Sequence, residues 1–87
     1  MAFNNTNCEY FTGTIVYSNI ASLMAKYTDL TAYVSHESPT FLALSETWLP
    51  AIVPDSLVSL NGYTMFRKDR YSGRGGGVCI YVCVRFS

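Results

Sequence analysis

Two hydrophobic periods alternate along this chain. Residues 11–17 (Phe-Thr-Gly-Thr-Ile-Val-Tyr) are β-branched and aromatic, as strands are, and Gly13 marks a bulge or close approach. The spacing then widens: Ile20, Leu23, Met24, Tyr27, Leu30, Thr31 and Val34 fall at i, i+3, i+4, i+7, the stripe of one helix face. Ser18 or Asn19 is placed to cap that helix, and Pro39 requires it to stop by Ser38. Residues 40–45 (Thr-Phe-Leu-Ala-Leu-Ser) form a short apolar run that reads as a second strand. A strand, a helix and a strand imply a right-handed crossover, a parallel or mixed sheet and an α/β fold. Both strands then end on one edge, which brings Asn19 close to Glu46.

The remaining pattern is that of strands and turns. Residues 49–55 contain Pro50 and Pro54 and read as a loop; residues 56–60 suit a short strand; Asn61-Gly62 is a turn; residues 63–68 suit another strand. A polar, glycine-rich connection at 69–76 leads to residues 77–86, where Val78, Ile80, Val82 and Val84 alternate with Cys79, Tyr81, Cys83 and Arg85. One face of that strand is the more apolar. Residues 1–10 are expected to be an irregular tail, and 11–87 a single partial domain.

Composition narrows the class. The chain has 87 residues, 49% hydrophobic and 14% charged, which suits a small globular unit and argues against disorder. Net charge is zero but unevenly spread. Residues 1–66 carry one cation, Lys26, against five acids (Glu9, Asp29, Glu37, Glu46, Asp55), net −4. Residues 67–87 carry five cations (Arg67, Lys68, Arg70, Arg74, Arg85) against Asp69, net +4. Such asymmetry hints at contact with an anionic polymer, although a short basic run also suits a solvated turn. The polar N-terminus and the lack of a long apolar run point to a soluble, intracellular protein without a membrane span.

Cys8, Cys79 and Cys83 are an odd number and suggest buried or half-buried thiols. Cys79 and Cys83 would share a strand face about 13 Å apart, too far for a disulfide or a shared zinc. His36, the lone histidine, falls near the helix end and reads as a surface residue, so no Ser-His-acid or Cys-His arrangement is supported. The run Gly73-Arg74-Gly75-Gly76-Gly77 precedes a strand rather than a helix and lacks the lysine of a nucleotide loop, so it reads as a hairpin turn. Its arginine, with Arg67, Lys68 and Arg70, has the charge and reach to touch phosphates. Magnesium chemistry fits Glu46, because that ion is commonly held by one or two carboxylates with waters and substrate phosphate oxygens.

Four blocks occur in order: Asn19-Ile20-Ala21-Ser22-Leu23 with Lys26; residues 39–49 ending in Ser45-Glu46-Thr47-Trp48-Leu49; Gly62-Tyr63 with Phe66-Arg67-Lys68-Asp69-Arg70; and Arg74-Gly75-Gly76-Gly77-Val78 with Ile80-Tyr81-Val82. Together they resemble the N-terminal part of the endonuclease domain of non-LTR (LINE-type) retrotransposons, in the exonuclease-endonuclease-phosphatase superfamily. The resemblance covers about four-fifths of the chain. It implies the N-terminal part of a two-sheet α/β sandwich and a DNA phosphodiesterase using Mg2+ or Mn2+. Glu46 matches that family's metal-binding glutamate, Asn19 the catalytic asparagine that closes the first strand, and Arg67, Arg70 and Arg74 nucleic-acid contacts. DNA would be the partner, with a reverse transcriptase or the missing C-terminal half in a longer parent protein; a nuclear location would follow.

The chain departs from that pattern. Ala21 stands where relatives often have arginine, removing a phosphate contact, and Ser45 replaces threonine, a mild change. The family's later tyrosine, its aspartate and asparagine pair and its aspartate-histidine pair lie beyond the equivalent of Ser87, so the general base is missing. The expected protein is therefore an N-terminal fragment of the nuclease, inactive alone, with an open sheet face that favours aggregation or a partner. Two alternatives are a non-catalytic nucleic-acid-binding module using residues 67–74, and a superfamily member acting on a phosphomonoester or lipid head group.

Overall fold

A computed structural model describes residues 4–6, 13–70 and 75–85, the first three through their backbone alone. The expected α/β architecture is present: β1 (Asn4–Thr6), β2 (Ile15–Asn19), α1 (Leu23–Glu37), β3 (Phe41–Ser45), a single 3-10 turn (Asp55–Leu57), β4 (Tyr63–Lys68) and β5 (Val78–Cys83). The strands form one mixed sheet in the order β1-β2-β3-β5-β4. The α1 crossover makes β2 and β3 parallel, as expected. β5 runs antiparallel to β3, and β4 antiparallel to β5.

Three elements differ from the expectation. Asn4–Thr6, expected within an irregular tail, pairs antiparallel with β2 and forms one edge of the sheet. Residues 56–60, expected as a strand, instead contain the 3-10 turn, followed by Val58 and Leu60 buried in the core. The helix starts at Leu23, not directly after Asn19. Its N-cap is Ser22, whose hydroxyl accepts from Ala25 N at 3.3 Å. Residues 20–22 are held away from helical geometry because Ile20 N donates to Ser45 O at 3.0 Å and Ser22 N to Glu46 O at 3.0 Å. At the other end Ser38 is left-handed and its N–H returns to Val34 O at 2.8 Å, closing the helix just before Pro39.

The core lies on one face of the sheet. Val16, Leu42, Leu44, Cys79 and Tyr81 join Leu23, Leu30 and Val34 of α1, and Leu49, Val58 and Leu60 close its end. Burying each leucine contributes roughly 2 kcal/mol. Two tyrosines fix the loop beneath α1: Tyr81 Oη donates to Val58 O at 2.5 Å, and Tyr27 Oη to Ser59 O. The alternation in β5 is real, but its more apolar face is not the core face. Cys79 and Tyr81 point inward, whereas Val78 and Ile80 are exposed on the far side.

That far face is laid out in three rows across the four longer strands. Pairing aligns Ile15, Phe41, Val82 and Thr64; then Tyr17, Ala43, Ile80 and Phe66; then Asn19, Ser45, Val78 and Lys68. The first two rows are dominated by apolar side chains, and the third, at the carboxyl edge of β2 and β3, turns polar. No described helix or strand lies over it.

Candidate functional site

The parallel pairing puts Asn19 opposite Ser45, so Asn19 and Glu46 do share the carboxyl edge of the sheet. The two chains stay joined beyond the strands. Leu23 N donates to Thr47 O at 2.9 Å, while Thr47 N and Trp48 N reach Gly77 O and Gly76 O at 3.3 and 3.0 Å. Ala21, Ser22, Glu46 and Trp48 all adopt left-handed φ values, of 46°, 85°, 55° and 54°. Each costs on the order of 1 kcal/mol outside glycine. Lys26 offsets part of that cost, because its ammonium donates to Ile20 O at 2.6 Å and Ala21 O at 2.5 Å.

Glu46 is oriented by two donors on one oxygen. Trp48 Nε1 reaches Oε1 at 3.1 Å and Gly76 N reaches it at 3.2 Å. The indole bond, then the Gly76 amide, hold the carboxyl below its ordinary range against slight desolvation, with the Arg70 charge adding to them. The group is ionised at neutral pH. Because the backbone leaves the strand geometry at Glu46, the carboxylate turns towards the glycine run.

The glycines form the other wall. A side chain on Gly75 would begin 3.3 Å from Trp48 Nε1 and 3.4 Å from Glu46 Oε1, and one on Gly76 2.8 Å from Arg70 Cδ. At Gly77, with φ of 89°, a Cβ would lie 2.5 Å from Thr47 Oγ1, so only glycine fits. This run does lie between β4 and β5 as a hairpin connection, but it also seats the carboxylate. Sequence reasoning missed that second role, and missed Trp48 and Gly76 as partners of Glu46. The only available clue was the coincidence of a lone tryptophan and a triple glycine in one short chain.

The basic residues divide. Arg67, expected as a nucleic-acid contact, has a side chain only 10% exposed. It donates to both Asp69 oxygens at 3.1 and 2.8 Å, to Asp55 Oδ1 at 3.1 Å, and to the Val53 and Pro50 carbonyls at 2.6 and 3.1 Å. Here it braces the 50–55 loop against β4, and reaching a phosphate would mean breaking those bonds. Lys68 and Arg70 are exposed, with Arg70 beside Gly76 and Glu46. Arg74 lies outside the described residues. His36 is on the surface, its side chain 84% exposed and its Nδ1 2.6 Å from Glu37 Oε2. Cys79 is buried and Cys83 half-buried, both free thiols; Cys8 lies outside the described residues.

Divalent-metal chemistry can be tested against this donor set. Among the described residues no group of three or more His, Cys, Asp or Glu side chains is placed to hold an ion. One ionised, pre-oriented carboxylate on the same sheet edge as an asparagine fits the sparse protein contribution typical of magnesium, completed by waters and substrate oxygens. It does not fit zinc, which takes three or four protein ligands. Among the described residues no helix is long and apolar enough to cross a membrane. No protein-family model matches the chain, and no match is found among curated proteins.

Proposed function

We propose that the Asn19–Glu46 edge is part of a divalent-metal phosphodiesterase site of the retrotransposon-endonuclease kind, and that residues 1–87 do not cleave DNA by themselves. The observation that carries this reading is the Glu46 carboxylate. It is ionised, stands at a sheet's carboxyl edge, and is aimed by two donors on Oε1, which makes Oε2 the oxygen for a magnesium ion. When bound, the ion would neutralise charge developing on a phosphoryl oxygen. The chain's own residues would bind and orient: Glu46 would anchor the cation, the Asn19 amide on the same edge would hold a phosphate oxygen or a water, and Arg70 would supply positive charge near Glu46. No described residue offers a general base at this edge, since His36 sits at the far end of α1 next to Glu37. That is the reason for expecting no turnover from residues 1–87.

Trp48 makes the proposal measurable, because the chain's only tryptophan donates to the proposed ligand. Titration with Mn2+ should quench Trp48 fluorescence with a weak, saturable profile, and Glu46→Gln should abolish the saturable part. Supercoiled plasmid should remain intact in Mg2+ or Mn2+. Nicking that disappears in Glu46→Gln would keep the metal site but refute inactivity. If Mn2+ has no saturable effect and salt-sensitive DNA binding is equal in both proteins, the edge is no metal site, and a non-catalytic binding module based on Lys68 and Arg70 is the better description.

A further inference from the structure

The geometry points to the open sheet face as a surface for a second copy of this chain, packed sheet on sheet about a two-fold axis parallel to the strands and midway between β3 and β5. This inference concerns residues 1–87 and does not rest on the phosphodiesterase proposal, in which the second sheet of a longer protein's sandwich would take the same face. It starts from the row Tyr17, Ala43, Ile80, Phe66, in which every side chain points away from the core. A two-fold axis at the centre of that row exchanges β3 with β5 and β2 with β4. The small Ala43 of each copy then faces Ile80 of the other, and Tyr17 faces Phe66. Large residues meet small ones at the centre, and aromatic rings meet at the flanks, so the face is complementary to itself.

The next row follows the same exchange. Ser45 faces Val78, and Lys68 falls over Asn19, next to the Ser45–Glu46 end of β3. Each copy thus sets its exposed Lys68 over a polar position at the other's strand ends rather than over an apolar one, twice over by symmetry. In the remaining row Val82 is already buried, so the pairing rests on the other two.

The area is in proportion. Tyr17, Phe66, Val78 and Ile80, all in the two pairing rows, are each between 44% and 58% exposed. At roughly 150–250 Å² for a large side chain, that leaves about 400 Å² of largely apolar surface on one face, within the range of the largest apolar patches on monomeric proteins, which are often functional. Two copies remove about twice that, and the surrounding Asn19, Ala43, Ser45 and Lys68 bring the total towards the ~1,200 Å² at which specific interfaces begin. The expected product is a reversible dimer of modest affinity.

Sedimentation velocity of the whole chain over a hundredfold concentration range tests this. A reversible monomer–dimer equilibrium is expected, weakened at least tenfold by Phe66→Asp and, separately, by Ala43→Leu, which fills the position facing Ile80. Far-UV circular dichroism reports whether each variant is folded; Ala43→Leu, a change on an exposed face, carries the test if Phe66→Asp is not. A wild-type protein that is monomeric throughout overturns the inference. So does open-ended aggregation, or a dimer that neither substitution weakens.

Discussion

Trp48 Nε1 donates to Glu46 Oε1 at 3.1 Å between two residues that both occupy left-handed backbone conformations. This bond is the leading cause of the low Glu46 pKa, ahead of the Gly76 amide. Trp48→Phe keeps the ring and removes the donor, so the Glu46 carboxyl should titrate at higher pH. A carboxyl-detected NMR titration reads this directly. The folded-state pKa lies below the ordinary 4.5, so ionised Glu46 favours the folded state above that value, and the contribution is lost as pH falls through the folded pKa. Melting temperature should fall less steeply on acidification in Trp48→Phe than in the wild type.

Thr47 and Gly77 give a second test. Gly77→Ala would place a methyl 2.5 Å from Thr47 Oγ1 at a φ of 89°, so a loss of about 2 kcal/mol or more is expected. Thr47 Oγ1 is itself buried without a hydrogen-bond partner among the described residues. Thr47→Val should therefore be close to neutral or stabilising. Thr47→Ala removes the nearest obstacle, and Gly77→Ala should cost less in that background than alone; urea melts of the four-member cycle measure the coupling.

Much of this fold was legible from local pattern, because the period shifts from strand to helix and back within the first half of the chain. The α1 stripe locates its core residues, and Pro39 locates its end. The start of α1 was not legible. Ile20 is buried either as a helix residue or as an extension of the parallel pairing, and only the partner carbonyl of Ser45, far along the chain, decides between them. The inward face of β5 was ambiguous for a related reason: alternation defines two faces, but Tyr81 is inward because its hydroxyl finds Val58 O in a loop that local sequence does not place. The site shows the same division. Topology brought Asn19 and Glu46 to one edge, whereas the embrace of Glu46 by Gly76 and the inward turn of Arg67 depend on pairings invisible to spacing.

Arg67 should matter for stability before it matters for any ligand. Arg67→Ala leaves Asp69, which is 17% exposed, without its bidentate partner, and frees the carbonyls of Val53 and Pro50. A loss of about 3 kcal/mol is expected by chemical denaturation. Arg67→Lys should recover only part of it, because an ammonium cannot reproduce the planar fork. Arg70→Ala, by contrast, should weaken salt-sensitive DNA binding, read as a shallower dependence of affinity on salt.

The thiols should react in a fixed order. Burial pushes the Cys79 thiol up to about 12, whereas hydrogen bonds from the Arg85 backbone and side chain hold Cys83 below its ordinary value. The thiolate is the nucleophile, so Cys83 should label first at neutral pH, and Cys79 only as fast as the core opens. In a Cys8→Ser background, mass spectrometry after a brief exposure to iodoacetamide should find one modified cysteine, at position 83. Rapid labelling of Cys79 in the folded chain would mean that β5 presents its other face to solvent, and the assignment of the apolar open face would fall with it.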